Sequence, residues 1–205
     1  MEGYWGYWHG GKGYSGVSLH VSKTLAPDRP TFAHPAFDFE TRIATVDVET
    51  SLGRLTVASV YVPNGGKDFT AKMRFLEAMD AYAASFRASG RLLALLGDMN
   101  VARTERDVHP KERKALAIGQ LPEERALVDR IVGRGLVDVG RALDPDNDEL
   151  FTWWPPWRSM RQRNIGWRLD HVFASEALAS RATACPVQSA IGTSDHAPVV
   201  ATFEM

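Results

Sequence analysis

The stretch LLALLGDMN, residues 92–100, determines which class of fold the chain can adopt. Its first five residues are all apolar, which is typical of a short strand covered on both faces. A helix is predicted immediately before it over residues 68–88, with Asp68 as N-cap and Gly90 as stop signal. Because an apolar strand over residues 55–62 precedes that helix, the order strand, helix, buried strand indicates α/β layering.

Further elements are predicted on both sides of this unit. Apolar and β-branched runs predict strands over residues 16–21, 42–48 and 55–62, two of which form a hairpin around a turn at residues 51–53. A proline-opened helix is predicted over residues 122–132, after an exposed loop at 103–114. The remaining predictions are a short helix at 175–180 and strands at 150–154, 168–174, 182–188 and 198–203. Many short strands between helices indicate packed sheets covered by helices, in a single domain of 205 residues.

Composition limits the kinds of function. The chain has a formal net charge of −1 and a pI near 6.6, so it does not coat polyanions without specificity. Its single cysteine, Cys185, can form neither an intrachain disulfide nor a cysteine zinc site. The sequence has no apolar run of membrane-spanning length and no signal-peptide pattern at its start, which predicts a cytoplasmic protein.

Any nucleic-acid site must therefore be local, and residues 151–169 are the candidate segment. They contain no acidic residue, and they combine four arginines with four of the six tryptophans: Arg158, Arg161, Arg163, Arg168, Trp153, Trp154, Trp157 and Trp167. Arginines alone would indicate a solvated loop beside core aromatics. Tryptophans at this density favour base stacking and phosphate contact.

Polar side chains recur where predicted strands end. In an extended chain Asp98 and Asn100 point the same way, although both residue types are also ordinary turn formers. Asp195 and His196 precede the last strand. They are either a metal ligand beside a functional imidazole, or a capping carboxylate beside a surface histidine.

Two more strands carry polar residues of this kind. Asp170 lies inside an apolar strand and needs a partner, because an unpaired buried carboxylate is costly. Tyr61 ends another strand. Packing of a core would not require this set of residues at several strand ends.

Five fragments in order resemble the motifs of the exonuclease III-like AP endonucleases, within the endonuclease/exonuclease/phosphatase superfamily. They are GYSGV at 13–17, YVPNG at 61–65, GDMN at 97–100, NIGWRLD at 164–170 and SDH at 194–196. The superfamily shares the GDMN and SDH types, whereas the NIGWRLD type favours a nuclease over a phosphatase. The resemblance implies a four-layer α-β-β-α sandwich, with two packed mixed β-sheets flanked by helices.

The resemblance also implies a mechanism and a cofactor. Asp98 would activate or orient the attacking water, Asn100 would hold the phosphate, and Tyr61 would donate to it or assist the nucleophile. Asp170 would fix His196 against the scissile phosphate. Mg²⁺ or Mn²⁺ would be bound by Asp195, with Asp98, Asn100 and His196 as further metal-site candidates.

The implied substrate is double-stranded DNA with abasic sites, cut on the 5′ side of the lesion by a monomer, with possible 3′-5′ exonuclease and 3′-phosphatase activity. Trp153 and Trp167 would line the pocket for the flipped-out sugar, and Trp157 and Lys67 would press into the duplex. The remaining predicted DNA-binding residues are Asn164, Arg168, Tyr14, Lys12, His109 and Arg113.

The family pattern starts with a strand ending in Asn and a second strand ending in a metal-binding Glu, and this sequence opens after both. The resemblance therefore implies a domain that is incomplete at the N-terminus by a strand-helix-strand part, and impaired activity of the truncated chain. Two alternatives are an abasic-DNA-binding remnant without catalysis and a small-molecule phosphatase of the same superfamily.

Overall fold

The computed structural model describes residues 2–11, 13 and 15–204. The strands are β1 (Tyr4–Gly10), β2 (Gly16–Ser22), β3 (Phe32–Ala33), β4 (Ile43–Thr50), β5 (Gly53–Tyr61), β6 (Leu92–Asp98), β7 (Leu136–Asp138), β8 (Asp170–Ser175), β9 (Ala182–Ala184) and β10 (Thr202–Phe203). The helices are α1 (Phe69–Ser89), α2 (Pro122–Val132), α3 (Val139–Leu143) and α4 (Glu176–Ala179), with 3₁₀ turns at Glu105–Asp107 and Pro110–Glu112.

A mixed six-stranded sheet organises the molecule, in the order β3-β4-β5-β6-β8-β7. The predicted hairpin is formed by β4 and β5, which pair antiparallel. Strand β6 pairs parallel with β5 and antiparallel with β8. The parallel pair needs a crossover, and α1 supplies it, so the strand-helix-strand prediction is confirmed.

Strand β6 lies in the middle of this sheet and is buried on both faces, as predicted. Leu93 and Leu95 belong to the apolar cluster that α1 and α2 cover. Leu92 and Ala94 belong to a second cluster on the opposite face, where Leu19 of β2 also lies. Alternate side chains of one apolar strand therefore stabilise two different layers.

The opposite face is covered by a second β layer made of two separate pairs, β1–β2 and β9–β10. The α/β class with mixed sheets and helices is confirmed. Within residues 2–11, 13 and 15–204, α1 and α2 are the only helices longer than five residues, and both pack on the six-stranded sheet. None of the helices in this described part is long and apolar enough to span a membrane.

Several predicted elements differ from the structure. Residues 150–154 make isolated bridges at Trp153, because their backbone bonds to Trp167 and Asp195 in crossing loops rather than to a neighbouring strand. The strands predicted at 182–188 and 198–203 shorten to β9 and β10. Strand β1 was not predicted, since its Gly, Trp and His residues lack a β-branched pattern. Strand β7 and helix α3 are too short to show a period and were also missed.

Gly97 permits the close approach of β5 and β6 beside the end of β6. Its φ is +131°, and a Cβ built there would lie 2.0 Å from the carbonyl oxygen of Val60, its register partner on β5. A side chain at this position would be strained and would also push the two strands apart.

We expect Gly97→Ala to lower the free energy of unfolding by roughly 2–5 kcal/mol, the sum of backbone strain and overpacking. Gly53→Ala is the matched control, because its φ of +105° carries similar strain but no atom beyond its two chain neighbours lies within 4 Å of its Cβ position. Equilibrium urea unfolding compares the two variants. Equal losses would contradict the close-approach explanation.

Candidate active site

Three of the predicted catalytic residues form one row across the end of the six-stranded sheet. Tyr61 is the register partner of Asp98 between β5 and β6, and Asp98 is the register partner of Asp170 between β6 and β8. Adjacent strands thus place a phenol and two carboxylates side by side. We call Tyr61, Asp98 and Asp170 the strand-end row.

Asp98 is the most strongly perturbed carboxyl group of the row. Burial raises its pKa to about 7, and the nearby charge of Asp170 adds to this effect. The charges of His196 and Lys72 and a hydrogen bond from the Asn100 backbone N–H act in the opposite direction. A carboxyl group that titrates near neutral pH can hold and release a proton under working conditions.

His196 is paired with Asp170, as predicted. Its Nδ1 lies 2.8 Å from Oδ2 of Asp170, and the residue is half-buried. Burial lowers the pKa of the imidazole, but the hydrogen bond and the negative charges of Asp170, Asp98 and Asp195 outweigh it, so the pKa is raised overall. The ring therefore favours the imidazolium form, which can donate to an anionic oxygen.

Asp195 lies in the exposed loop next to His196, within reach of a tryptophan. Its Oδ2 accepts a hydrogen bond of 2.9 Å from Nε1 of Trp153. Burial raises the pKa of Asp195, but this bond and the charge of His196 outweigh the effect, so the pKa is lowered overall. Asp195 is thus ionised and exposed, so its carboxylate is accessible to a cation.

A buried threonine, which the sequence did not single out, connects these segments. The Thr152 hydroxyl oxygen accepts hydrogen bonds of 3.0 Å from the backbone N–H groups of Leu169 and Asp170. Its carbonyl accepts one of 2.7 Å from Ala197. Thr152 therefore holds the strand that carries Asp170 against the loop that carries His196.

Asn100, which was predicted to hold the phosphate, uses its side-chain amide for hydrogen bonds within the protein. Its Nδ2 donates to the Val62 carbonyl at 2.8 Å and to Oδ2 of Asp98 at 2.9 Å, which uses both amide hydrogens. Its Oδ1 accepts from Nδ2 of Asn64 at 3.0 Å. In this arrangement Asn100 orients the Asp98 carboxylate, and only its Oδ1 retains a free lone pair for a cation.

A buried ion pair beneath the row was not predicted. Lys72 and Glu124 are both fully buried and form a salt bridge, which joins α1 to α2. Nζ of Lys72 also donates to the carbonyl oxygens of Asn100 at 2.8 Å and Asn64 at 3.1 Å. Burial lowers the pKa of Lys72, against the opposing effect of Glu124. This pair fixes the loop that follows β6.

The predicted tryptophans occupy different environments. Trp153 and Trp167 meet edge to face at 5.8 Å and exchange backbone hydrogen bonds. Trp153 also bridges to His196, so this aromatic corner borders the strand-end row. Trp157, by contrast, is 58% exposed.

The other predicted DNA-binding residues are spread over several loops. Oδ1 of Asn164 accepts from Nε1 of Trp154 at 3.1 Å, so that oxygen supports the Trp loop. His109 packs edge to face on Phe151, and Arg113 and Lys67 are exposed. Their contacts with DNA stay predictions. Lys12 and Tyr14 lie outside the described residues.

Arg168 is a clear correction to the predicted DNA-binding set. It is 4% exposed, and its guanidinium donates to Asp107 and Asp138. Each of its three nitrogens donates to this internal cluster and the side chain is buried, so Arg168 does not reach a DNA backbone in this conformation. The sequence suggested a surface cation because residues 151–169 contain no acidic residue, whereas the partners Asp107 and Asp138 come from elsewhere in the fold.

Arg161 is also structural rather than free for phosphate. Its guanidinium packs over Trp154 at 4.6 Å and donates to the carbonyl oxygens of Ser194 at 2.6 Å and Ile191 at 2.5 Å. It therefore fixes the loop that leads into Asp195. Of the four arginines in the predicted segment, Arg158 and Arg163 remain exposed.

The donor set fits a hard divalent cation. Asp98 and Asp195 offer carboxylate oxygens and Asn100 an amide oxygen, the ligand types that Mg²⁺ and Mn²⁺ prefer. Burial, and after it the charge of Asp170, raises the pKa of Asp98, and a bound cation would offset both effects.

Fold and site together define a hydrolase class in which acidic residues and a histidine act from the ends of sheet strands. Residues 2–196 match the model of the Endonuclease/Exonuclease/phosphatase family. The chain is 31% identical to Exodeoxyribonuclease III of Haemophilus influenzae, over 98% of this chain and 81% of that protein. It belongs to this family and, within it, to the exonuclease III-like AP endonucleases.

Two solved structures with the same fold come from Neisseria. A 3′ phosphatase bound to a product DNA hairpin has a TM-score of 0.85 and 28% identity, covering 99% of this chain and 80% of that one. A 3′-5′ exonuclease from Neisseria meningitidis has a TM-score of 0.84 and 29% identity, with the same two coverages.

We expect Asp170→Asn to lower the pKa of His196, because the variant removes the carboxylate that outweighs the effect of burial. An NMR titration of the imidazole measures the shift. By linkage, a raised folded-state pKa stabilises the fold below the unfolded value of about 6.5, and this contribution is lost as pH rises through the folded-state value.

The matched control is Asp146→Asn, which removes the same charge from an exposed position in the loop after α3. It should leave the His196 titration unchanged. An unchanged titration in Asp170→Asn, or equal shifts in both variants, would contradict the pairing.

Proposed function

We propose that this chain hydrolyses the DNA phosphodiester bond on the 5′ side of an abasic site, with a divalent cation bound at the strand-end row. The coarser function follows from the family: the chain is a DNA-repair nuclease and a phosphodiesterase. Nucleases of this family are generally dependent on a divalent metal. The ion and the abasic-site preference are the proposed parts, and the cytoplasmic location and monomeric state stay predictions.

The observation that carries the proposal is the row itself, with two carboxyl groups and a phenol in register and the His196–Asp170 pair at its edge. Hydrolysis of a phosphodiester needs a base for the attacking water and positive groups for the charge that develops on phosphorus. One compact site contains both kinds of group.

We assign the base to Asp98. In the metal-free protein its pKa of about 7 makes the carboxylate a stronger proton acceptor than an ordinary aspartate, and a cation bound nearby would lower that pKa and keep the group ionised. Asn100 orients it through hydrogen bonds from the backbone N–H at 2.7 Å and from Nδ2 at 2.9 Å. A water molecule that donates a hydrogen bond to a remaining lone pair of Asp98 would face a phosphate bound over the strand-end row.

His196 and Tyr61 would contact the phosphate. The imidazolium of His196 donates through the ring nitrogen that is not bonded to Asp170, and it brings positive charge to an otherwise acidic site. The Tyr61 ring lies under the Arg42 guanidinium at 4.9 Å, which fixes the direction of its hydroxyl. These residues orient the phosphate and stabilise its charge.

The cation would be held by Asp195, with Asp98 and Asn100 as the other candidates, because the imidazolium form assigned to His196 has no lone pair for a metal. When bound, it would neutralise charge on a phosphate oxygen, part of a task of order 20 kcal/mol for so slow a reaction.

The substrate preference rests on the aromatic corner of Trp153 and Trp167. It borders His196 directly, through a backbone bridge from Trp153, so a sugar packed on it would place its phosphate at the row. A nucleotide without a base costs the least to unstack, which favours abasic sites. Exposed Trp157, with Arg158 and Lys67 at the surface, would contact the flanking duplex.

A duplex with one abasic analogue, a duplex with a 3′-phosphate and a small phosphoester test the proposal side by side. With Mg²⁺, we expect wild-type protein to cut the abasic duplex on the 5′ side and to favour it over the small ester. Asp98→Asn should reduce single-turnover incision by about 10²–10⁴-fold, the usual contribution of a general base. Its affinity for the abasic duplex, measured by fluorescence anisotropy, should stay close to that of wild type.

The other outcomes separate the alternatives. Tight binding without incision by wild type would indicate a DNA-binding remnant. Faster removal of the 3′-phosphate, the reaction in the name of one Neisseria structure, would assign the site to 3′ ends instead. Preference for the small ester would indicate a phosphatase. Asp146→Asn, an exposed carboxylate away from the row in sequence, controls for loss of charge and should cut as wild type does.

A further inference from the structure

A second group of metal-ligating side chains lies outside the strand-end row. His9 is on β1, His34 follows β3, and Asp38 lies in the segment that leads into β4. One ligand atom of each residue lies within 4.8 Å of the ligand atoms of the other two. Three separate parts of the chain thus bring two imidazoles and a carboxylate together. We call these three residues the hairpin cluster.

The carboxylate of the hairpin cluster is held in place by the backbone. Oδ1 of Asp38 accepts hydrogen bonds from the N–H groups of Arg42 at 2.9 Å and Ile43 at 3.1 Å. This arrangement leaves Oδ2 to face the histidines, and it lies 2.6 Å from Nε2 of His9. Metal-binding carboxylates are oriented in the same way, by hydrogen bonds to the oxygen that does not face the ion.

The two imidazoles lie face to face. Their ring centroids are 4.4 Å apart with an interplanar angle of 14°, and His9 is largely buried whereas His34 is exposed. Among the residues that the structure describes, none forms a hydrogen bond with the His34 ring, so its nitrogens are available to a ligand.

We propose that His9, His34 and Asp38 bind one divalent transition metal of the zinc class. Two imidazole nitrogens and one carboxylate oxygen suit Zn²⁺ and its neighbours, and three protein ligands leave a fourth position for water. Mg²⁺ prefers an all-oxygen set and does not compete well for imidazole. The hairpin cluster is therefore selective for a different ion from the one proposed at the strand-end row.

The bound metal would tie the β1–β2 hairpin to the sheet that carries the row. His9 belongs to that hairpin, and Asp38 bonds to the backbone of Arg42 at the entrance to β4. Arg42 in turn packs over the Tyr61 ring and donates to its carbonyl oxygen at 3.4 Å. Metal binding is thus expected to stabilise the hairpin and the support of Tyr61.

Zn²⁺ titration of the metal-free chain, in excess Mg²⁺ and in competition with a chromophoric chelator, tests the site. Wild type should bind one more Zn²⁺ than His34→Gln, or bind it at least about 10-fold more tightly. Loss of a residue that only orients a metal ligand already lowers metal affinity by about 10-fold or more, and loss of the ligand itself should lower it further. Zn²⁺ should also raise the thermal midpoint of wild type and not of the variant. The exposed position of His34 makes this substitution compatible with folding, which circular dichroism verifies.

His109→Gln is the matched control, because it removes another imidazole that is not part of the hairpin cluster. It should bind Zn²⁺ as wild type does. Any Zn²⁺ bound at the strand-end row remains in all three proteins, so it does not contribute to the difference between them. Identical stoichiometry and affinity in wild type and His34→Gln would overturn the proposal, as would equal losses in both histidine variants.

Discussion

The candidate active site depends on the register of three neighbouring strands. The parallel pairing of β5 with β6 places Tyr61 beside Asp98, and the antiparallel pairing of β6 with β8 places Asp170 on the other side. A slip of one residue on β6 would turn Asp98 to the opposite face of the sheet. Gly97 allows the strands to approach immediately before this point, because the Val60 carbonyl occupies the space of a side chain. The register that pairs these strands therefore also fixes the geometry of the active site.

The negative charges of the strand-end row are offset by the cationic side chains of His196 and Lys72 beside it. Two carboxyl groups lie on adjacent strands, and burial, with the charge of Asp170 as a smaller cause, raises the pKa of Asp98 to about 7. The imidazole of His196 at the edge and the ammonium of Lys72 beneath offset part of these effects. Lys72 is itself buried and relies on Glu124, so removal of either partner would leave an uncompensated charge next to the site. The row, the histidine and the ion pair beneath form one electrostatic unit.

The sequence predicted the parts of this arrangement that have a local signal. The apolar run of β6 and the period of α1 placed Asp98 at a strand end, and an isolated carboxylate in an apolar strand predicted that Asp170 has a partner. The burial of Lys72 could have been predicted but was missed, because Lys72 lies on the buried stripe of α1, four residues before Leu76. The burial of Arg168 had none, because Asp107 and Asp138 lie 61 and 30 residues away in the chain. Thr152 acts through long-range backbone contacts that no local pattern reports.

The central claim is that Asp98 and Asp170 act as one unit, and a double-mutant cycle on incision of abasic duplex tests it most directly. Single-turnover rates would be measured for wild type, Asp98→Asn, Asp170→Asn and the double variant. Residues that act together give non-additive effects, so we predict a double variant within about threefold of the slower single variant. A double variant slowed by the product of the two single effects would contradict the account.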